Sequence, residues 1–403
     1  MLKEQILNEA KQLENEIINN RHWLHQHAEV GFELKETKAF VRKKLEEMGY
    51  QPIECGKSGL VVTIGNGGKT FLLRADMDAL PIQEETDLDY ASKKNMHACG
   101  HDMHTAMLLG AAKLLKQHED ELNGTVKLMF QPAEEIFEGS LDMIKNGVLD
   151  NPRVDAALMI HVVSGLPFPA GTVIVTSPGV SAPAADYFTI KVQGKGCHGS
   201  TPHLGIDALT CASHILIALQ EIHARELAID DEAVLTIGKF NGGSAANAIA
   251  DSAILQGTIR TYNEETRQFI KQRMTEISSH IGQTYRCQIE VEFGSGCPTL
   301  QNDEQLSNLI YEQTTDLLGQ DAVYTTLQLS QGKPTKMGGS EDFAYISQKD
   351  PSIMLSLSAS TKTRQMAYPQ HHPKVIFDDS ALSLGSAIYA YNAMKWLEKQ
   401  VQD

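Results

Sequence analysis

Strand-like and helix-like hydrophobic patterns alternate along this chain, and that alternation limits its fold more than any other feature. Apolar residues recur near a 3.6-residue period over 2–31, at Ile6, Ala10, Leu13, Ile17 and Trp23/Leu24. A second helical pattern spans 36–48 and stops at Gly49. Two short apolar runs follow, 60–64 and 70–73, and Asn66-Gly67-Gly68 between them reads as a hairpin-like turn. A long helix is expected over about 103–122, a strand over 125–130, a helix near 139–146 and a strand over 155–160. Such βαβ spacing predicts a mainly parallel sheet flanked by helices.

The pattern changes near Pro183. Residues 187–192 alternate like a strand, 207–219 read as a helix, 233–240 and 252–262 as strands, 264–281 as a helix and 287–293 as a strand. The order β-α-β-β-α-β is the ferredoxin-like pattern. After 294–298 the first pattern resumes, with a helix over 302–318, a strand over 353–357 and a last helix over 380–397. The expected organisation is one α/β domain in two parts, 1–185 and 298–403, interrupted by a smaller α+β domain, 186–297.

Apolar residues make up 42 % of the 403, enough for a sizeable core. The net charge of −16, from 35 Lys/Arg and 51 Asp/Glu, disfavours nucleic acid as a partner. No apolar run reaches the roughly 18 residues of a membrane span. The charged, amphipathic start lacks the apolar core of a signal peptide. A soluble, cytoplasmic protein with no membrane partner is expected. Six cysteines and no C-x-x-C pair suit neither a disulfide scaffold nor a thiolate zinc knuckle. Five of them read as small, partly buried apolar side chains. Cys99 stands apart because of its neighbours.

Polar clusters sit at the ends of four expected strands: Arg74-Ala75-Asp76-Met77-Asp78, Gln131-Pro132-Ala133-Glu134-Glu135, His161, and His371-His372-Pro373. Beside them lies Met96-His97-Ala98-Cys99-Gly100-His101-Asp102. Open α/β sheets bind ligands beyond the carboxyl ends of their strands, so clusters distant in sequence can converge. Thiolate, imidazole and carboxylate are the ordinary ligands of zinc and its neighbours. Cys99 and His101, one residue apart, can face one point from an extended loop. His161 and Glu135 offer the next ligands, and His371 or His372 a further one. Five ligands exceed the three that hold a single catalytic ion, and suit two ions with one shared ligand. If one of Glu134 and Glu135 binds metal, the other can take a proton from water. Each feature alone has an ordinary explanation: a structural histidine, a solvated Glu pair, aspartates that satisfy loop amides. Their coincidence at strand ends that one sheet would bring together favours a site.

RADMDALP (74–81), MHACGHDMHTAMLLGAA (96–112), QPAEE (131–135) and IHV (160–162) resemble the M20 metallopeptidase/amidohydrolase family. The similar subgroup, subfamily D, contains hippurate hydrolase, bacterial N-acyl-amino-acid amidohydrolases, N-acetyldiaminopimelate deacetylase and plant auxin-conjugate hydrolases. The resemblance continues through GKGCHGSTPHLGIDAL (194–209), AANAIADSAILQGTIR (245–260), GGSEDFAY (338–345) and HHPKVIFDD (371–379), and so covers essentially the whole chain. It implies a zinc-peptidase-like catalytic domain with an inserted ferredoxin-like lid and dimerisation domain. It puts the metal ligands on Cys99, His101, Glu135, His161 and His371. Cys99 would bridge two divalent ions (zinc, manganese, cobalt or nickel), with His101 and His161 on one and Glu135 and His371 on the other. Glu134 would be the general base, and Asp76 would steer a ligating imidazole. His198 would steady the oxyanion, with a loop histidine near glycines as the competing reading. Asn247 and Arg260 would hold the substrate carboxylate, or anchor strands. Glu341 would lie near the substrate, or form a structural ion pair.

Three positions depart from the family pattern: Ala28 and Ala250 stand where Pro is common, and Met103 where many relatives have Gly. Loss of Pro at Ala250 loosens one backbone dihedral beside the Asn247 loop. Met103 could narrow the pocket or pack the start of its helix. The expected activity is metal-dependent hydrolysis of an N-acyl-amino acid by a homodimer or larger homo-oligomer. A dipeptidase or aminopeptidase of the same fold, and a non-catalytic binding descendant, are the alternatives.

Overall fold

Thr70–Asp76 and Thr125–Gln131 are buried along their whole lengths, and Ala156–Val163 along all but its last residue. Strands so covered belong at the centre of a sheet with helices on both faces. The computed structural model describes residues 2–332, 336–361 and 368–401. The chain divides into two compact units, one of Met1–Ser181, Gln301–Lys336 and Glu341–Asp403, the other of Ala182–Leu300 and Met337–Ser340.

The chain begins with α1 (Leu2–Gln12), α2 (Glu14–Gln26), α3 (Lys35–Glu47), β1 (Ile53–Cys55), β2 (Gly59–Gly65) and β3 (Thr70–Asp76). α4 (His101–Gln117), β4 (Thr125–Gln131), α5 (Gly139–Lys145), β5 (Ala156–Val163), β6 (Val173–Val175) and β7 (Gly179–Ala182) follow. Next come β8 (Ala184–Gln193), β9 (Cys197–His198), α6 (Ala208–Ala218), β10 (Ala233–Gly242), β11 (Ala248–Ile249), β12 (Ser252–Thr261), α7 (Glu264–Tyr285) and β13 (Gln288–Cys297). The chain ends with β14 (Leu300–Asn302), α8 (Glu304–Leu318), β15 (Val323–Thr325), α9 (Thr326–Leu329), α10 (Ala344–Ser347), β16 (Ser352–Ser358) and α11 (Leu382–Gln400).

The first unit carries an eight-stranded sheet in the order β1-β2-β4-β3-β5-β16-β6-β15. It is mixed rather than mainly parallel: β1–β2, β2–β4 and β16–β6 are antiparallel. The expected hairpin between β2 and β3 does not form. β4 lies between them, antiparallel to β2 and parallel to β3. The glycine-rich turn instead caps the start of β4. Thr125 donates through its amide to Lys69 O at 2.9 Å and through its hydroxyl to Gly67 O at 3.0 Å. The first helical pattern is interrupted at Leu13 and ends at Gln26, not near Gly31.

From β3 the chain crosses one way to β4 and then back to β5 on the other side. The gap between β3 and β5 is therefore the reversal point of the sheet, where α/β folds place their ligands. α4 is buried from His101 to Ala112, packs beside α2 and α11, and brings Met103, Met107, Leu108, Leu114 and Leu115 into the core. Met103 is fully buried there and packs the start of the helix.

The second unit is an α/β module: an all-antiparallel sheet, β10-β12-β8-β13, with α6 and α7 packed on it. Asp207 and Asn263 accept hydrogen bonds from the first amides of α6 and α7, as N-cap residues do. Phe188, Ile190, Leu255, Ile215 and Met274 form its core. Asp186 is held by Arg267, at 2.6 and 2.8 Å, and by Lys271 at 3.0 Å. Among the described residues no helix is long and apolar enough to cross a membrane.

His118, at the end of α4, is sandwiched between carboxylates: Nε2 is 2.7 Å from Glu9 and Nδ1 2.8 Å from Glu121. Despite desolvation, the two carboxylates hold its pKa above the ordinary 6.5. The stabilisation is complete below pH about 6.5 and is lost as pH rises through the raised value. His118→Gln should therefore lower the melting temperature more at pH 6 than at pH 8.5. An equal drop at both would contradict this reading.

Candidate metal centre

Gly100 makes the turn into α4 and has φ 94°. A Cβ there would meet Val162 Cγ2 at 2.4 Å, so a larger residue does not fit. Its neighbours on either side are Cys99 and His101. Asp102, the next residue, is anchored by Arg21 Nε and His25 Nδ1, both at 2.8 Å, from the buried face of α2.

Two imidazoles are oriented in the same way. His101 Nδ1 donates to Asp78 O at 2.8 Å, and His161 Nδ1 to Val162 O at 2.7 Å. Each Nε2 thereby points into the cluster; despite burial, the carboxylate of Asp76 foremost raises the pKa of His101 well above 6.5, so an ion at its Nε2 would displace a proton. His161 Nε2 lies 3.7 Å from Cys99 Sγ. His101 Nε2 is fully buried without a hydrogen-bond partner, and so is Glu135 Oε1. These two atoms are 3.9 Å apart, and His371 Nε2 is 3.7 Å from the same Glu135 oxygen. Ligand atoms gather in overlapping sets: Cys99, His101 and His161; Cys99, Glu135 and His371; His101, Glu134 and Glu135. Within each set they lie within 4.8 Å of one another. Cys99 is common to the first two sets and His101 to the first and third, an overlap consistent with a dinuclear metal site. A buried lone pair with no partner costs about 1–3 kcal/mol, and a cation at that point removes the cost. The donor set therefore fits two divalent ions.

Of the two adjacent histidines, His371 enters the cluster, with φ 65° in the left-handed region that non-glycine residues seldom adopt. His372 turns elsewhere: Nδ1 accepts from the Lys374 amide at 3.0 Å and the ring stacks on Tyr368 at 4.3 Å.

Burial, with Glu135 adding to it, pushes the Cys99 thiol up to about 12. Burial pushes Glu135 up to about 7 and raises Glu134 well above the carboxylate range, the latter helped by Glu341. It also lowers His161 to about 3, so this imidazole is neutral and free to ligate. A divalent cation opposes the shifts on thiol and carboxylates. Glu134 Oε1 accepts from the Asp342 amide at 3.3 Å, while Oε2 faces His101 Nε2 at 3.9 Å.

Residues beyond the sequence-based ligand set organise this arrangement. Arg74 is fully buried. It donates to Gln131 at 2.9 Å, to Asp76 Oδ2 at 2.8 Å and to Glu341 and Asp342, both at 2.9 Å. Asp78 accepts from the amides of Glu134 at 3.0 Å and Glu135 at 3.2 Å, as its loop-amide reading anticipates. Asp76 lies 2.6 Å from His104 Nδ1 and 3.6 Å from His101 Nε2. A charged residue ending an apolar strand, Arg74, and a histidine three after His101 on a buried helix were the available signals.

Glu341 is nearly buried and ion-paired with Arg74. His161 lies within β5 rather than after it. His198, Asn247 and Arg260 belong to the second unit. There His198, on β9, pairs with Ala248 on β11, and the Gly199 amide donates to Asn247 O at 2.7 Å, so the first two are neighbours. Both side chains are exposed. Arg260, on β12, reaches Ser340 Oγ at 3.3 Å and lies over the Tyr187 ring. Ala250 is buried in the same unit.

The sequence matches peptidase family M20/M25/M40 over residues 72–395. It is 38 % identical to the N-acetyl-L-cysteine deacetylase of Bacillus subtilis (strain 168), over 96 % of this chain and 89 % of that one. It is 35 % identical to the IAA-amino acid hydrolase ILR1-like 4 of Arabidopsis thaliana, over 94 % of this chain and 86 % of that one. Among solved structures it is similar to the Bacillus subtilis YXEP protein, described as a dinuclear metal-binding peptidase from the M20 family. The TM-score is 0.77 and the identity 33 %, covering 96 % of this chain and 99 % of that one.

Loading the site with zinc should release protons, because Cys99 must give up its thiol proton and Glu135 any it carries. Calorimetry at pH 7 in two buffers of different ionisation enthalpy should count at least one proton per pair of ions. A count of zero would show that Cys99 stays a thiol.

Proposed function

The chain belongs to peptidase family M20/M25/M40 and is a metal-dependent hydrolase, and from that premise we propose that it cleaves the amide bond of N-acyl-amino acids. We assign it to the hippurate-hydrolase-like subgroup, subfamily D. The observation that carries this reading is the cluster itself: five potential ligands, two of them with orphaned buried atoms, and Glu134 beside them.

In this reading two divalent ions would be held, one by His101 and His161 and the other by Glu135 and His371, with Cys99 common to both sets. Zinc, manganese, cobalt or nickel would suit such mixed ligands. When bound, the ions polarise the amide carbonyl and lower the pKa of water. Glu134 acts through Oε2, because Oε1 is occupied by the Asp342 amide. It takes a proton from the attacking water at Oε2 and returns it to the leaving amine. Asp78 fixes the backbone of Glu134 and Glu135 while this happens. Asp76 steers the imidazoles beside it. His198 steadies the oxyanion, and Asn247 and Arg260 bind the substrate carboxylate.

An aminopeptidase or dipeptidase would need an unpaired acidic group for the substrate ammonium. Glu341, the candidate, is engaged at Oε1 by the Arg74 guanidinium and the Phe343 amide, both at 2.9 Å. We read it as an ion-paired wall near the substrate, which favours acylated over free amines. The names of the two relatives, a deacetylase and an amino acid conjugate hydrolase, point the same way.

For the second unit we propose a ferredoxin-like lid that also carries a homodimer or larger homo-oligomer. Its strand order supports the first part. The exposed Val234 on the edge strand β10 and Ile217 on α6 support the second.

Glu134→Gln should retain its metals and lose roughly 10²–10⁴-fold in the rate of hydrolysis of N-acetyl- and N-benzoyl-amino acids. Chelation should abolish the same activity, and divalent zinc, manganese, cobalt or nickel restore it. Hydrolysis that survives Glu134→Gln excludes this base; free dipeptides cleaved faster than acylated amino acids would favour the peptidase reading.

A further inference from the structure

The ladder between β3 and β5 stops before the strands do. They pair from Phe71↔Ala156 to Arg74↔Met159, yet β3 runs on to Asp76 and β5 to Val163. Past that point each keeps its outer partner: Asp76 pairs with Gln131 on β4, and Val163 with Ser358 on β16. The polar groups that face the gap are bridged by side chains. Tyr389 Oη, on α11, donates to Arg74 O at 2.7 Å and accepts from the Ile160 amide at 2.8 Å. One step further, the Val162 amide donates to His104 Nε2, on α4, at 2.8 Å, and His104 Nδ1 is 2.6 Å from Asp76 Oδ1.

Because Nε2 accepts, the ring proton is on Nδ1 and goes to Asp76. Both ring nitrogens are used, so His104 is closed as a metal ligand although it lies in the cluster. Both side chains are fully buried, on two helices that pack against each other and against β3. Tyr389 replaces one direct backbone bond by two bonds in series, and His104 ties the Val162 amide across the gap to the Asp76 carboxylate while the Asp76 carbonyl accepts from Thr105 Oγ1 at 2.7 Å; both bridges need strands further apart than the roughly 4.8 Å of a continuous sheet. The two amides they hold, of Ile160 and Val162, flank His161. The His104 ring meets that of His161 edge-on at 4.6 Å.

We propose that His104 and Tyr389 are positioning residues, a pair of buried spacers that part β3 from β5 and so set where His161 stands relative to Asp76 and His101. Neither touches substrate. Without the spacers the strands would tend to close and the buried amides of Ile160 and Val162 would lose their partners, a cost the fold would relieve by moving β5. Removal should therefore weaken ion binding.

Two measurements test this, and only the second rests on the proposed two-ion site. In the metal-free protein labelled with ¹⁵N-histidine, the imidazole signals absent from His104→Gln should show a protonated Nδ1 and a bare Nε2. A protonated Nε2 overturns the proposal. The metal-free protein is then titrated with zinc alone against a chromophoric chelator. His104→Leu should bind zinc roughly 10–100-fold more weakly. His104→Gln, whose amide can both donate and accept, should recover most of that loss, and Tyr389→Phe should weaken binding as well. Wild-type affinity in His104→Leu, or no recovery in His104→Gln, overturns the proposal. If His104→Leu does not fold, Tyr389→Phe decides, and unchanged zinc affinity there overturns it. If the wild-type protein itself binds no zinc, the two-ion reading fails, while the tautomer still decides whether His104 is the spacer.

Discussion

The buried guanidinium of Arg74 is the interaction on which the site depends. It reaches β4 through Gln131, its own strand through Asp76, and the 341–342 loop through two carboxylates. One cation thus serves three carboxylates inside the protein, next to two more in Glu134 and Glu135. Burying a charge is costly unless it is paired and hydrogen-bonded, and breaking such a pair costs about 3–5 kcal/mol. Arg74 is well paired, but its neighbours are not balanced by it alone. The surplus of buried carboxyl groups, together with two orphaned ligand atoms, is what a pair of divalent ions would hold ionised. The −16 net charge of the chain is in part this local excess.

The ligands are held by segments that are themselves pinned. Asp78 supports His101 with its carbonyl and the Glu134–Glu135 backbone with its carboxylate. Asp102 is clamped by Arg21 and His25. Gly100 admits the close approach of Val162 between Cys99 and His101. His101, His161 and the Glu135 backbone are each fixed by a second residue, which is how metal sites keep their geometry before the ion arrives.

Much of this was legible in the sequence. Residues that carry chemistry stood at strand ends, where a helix-flanked sheet exposes them, and the burial of β3, β4 and β5 follows from their apolar runs. The second unit's order of strands and helices was visible because its strands alternate cleanly. What could not be read were pairings set by tertiary contacts. The turn Asn66-Gly67-Gly68 looks like a hairpin locally, but β4 enters between its arms from 55 residues beyond Thr70. Arg74, His104 and Tyr389 were missed for a related reason. A buried polar residue is recognised by its partners, and theirs lie far away in sequence: Glu341 for Arg74, Val162 for His104, Arg74 and Ile160 for Tyr389. His371 and His372 could not be separated by residue type, only by the backbone turn that sends one ring to Glu135 and the other to Tyr368.

The central claim is that Cys99, His101, Glu135, His161 and His371 hold two ions with the thiolate shared. Anomalous diffraction at the zinc edge from crystals of the zinc-loaded protein tests it most directly. The account predicts two peaks with Cys99 Sγ between them, one flanked by His101 and His161 and the other by Glu135 and His371. A single peak, or a pair of peaks with Cys99 Sγ bound to neither, would contradict it.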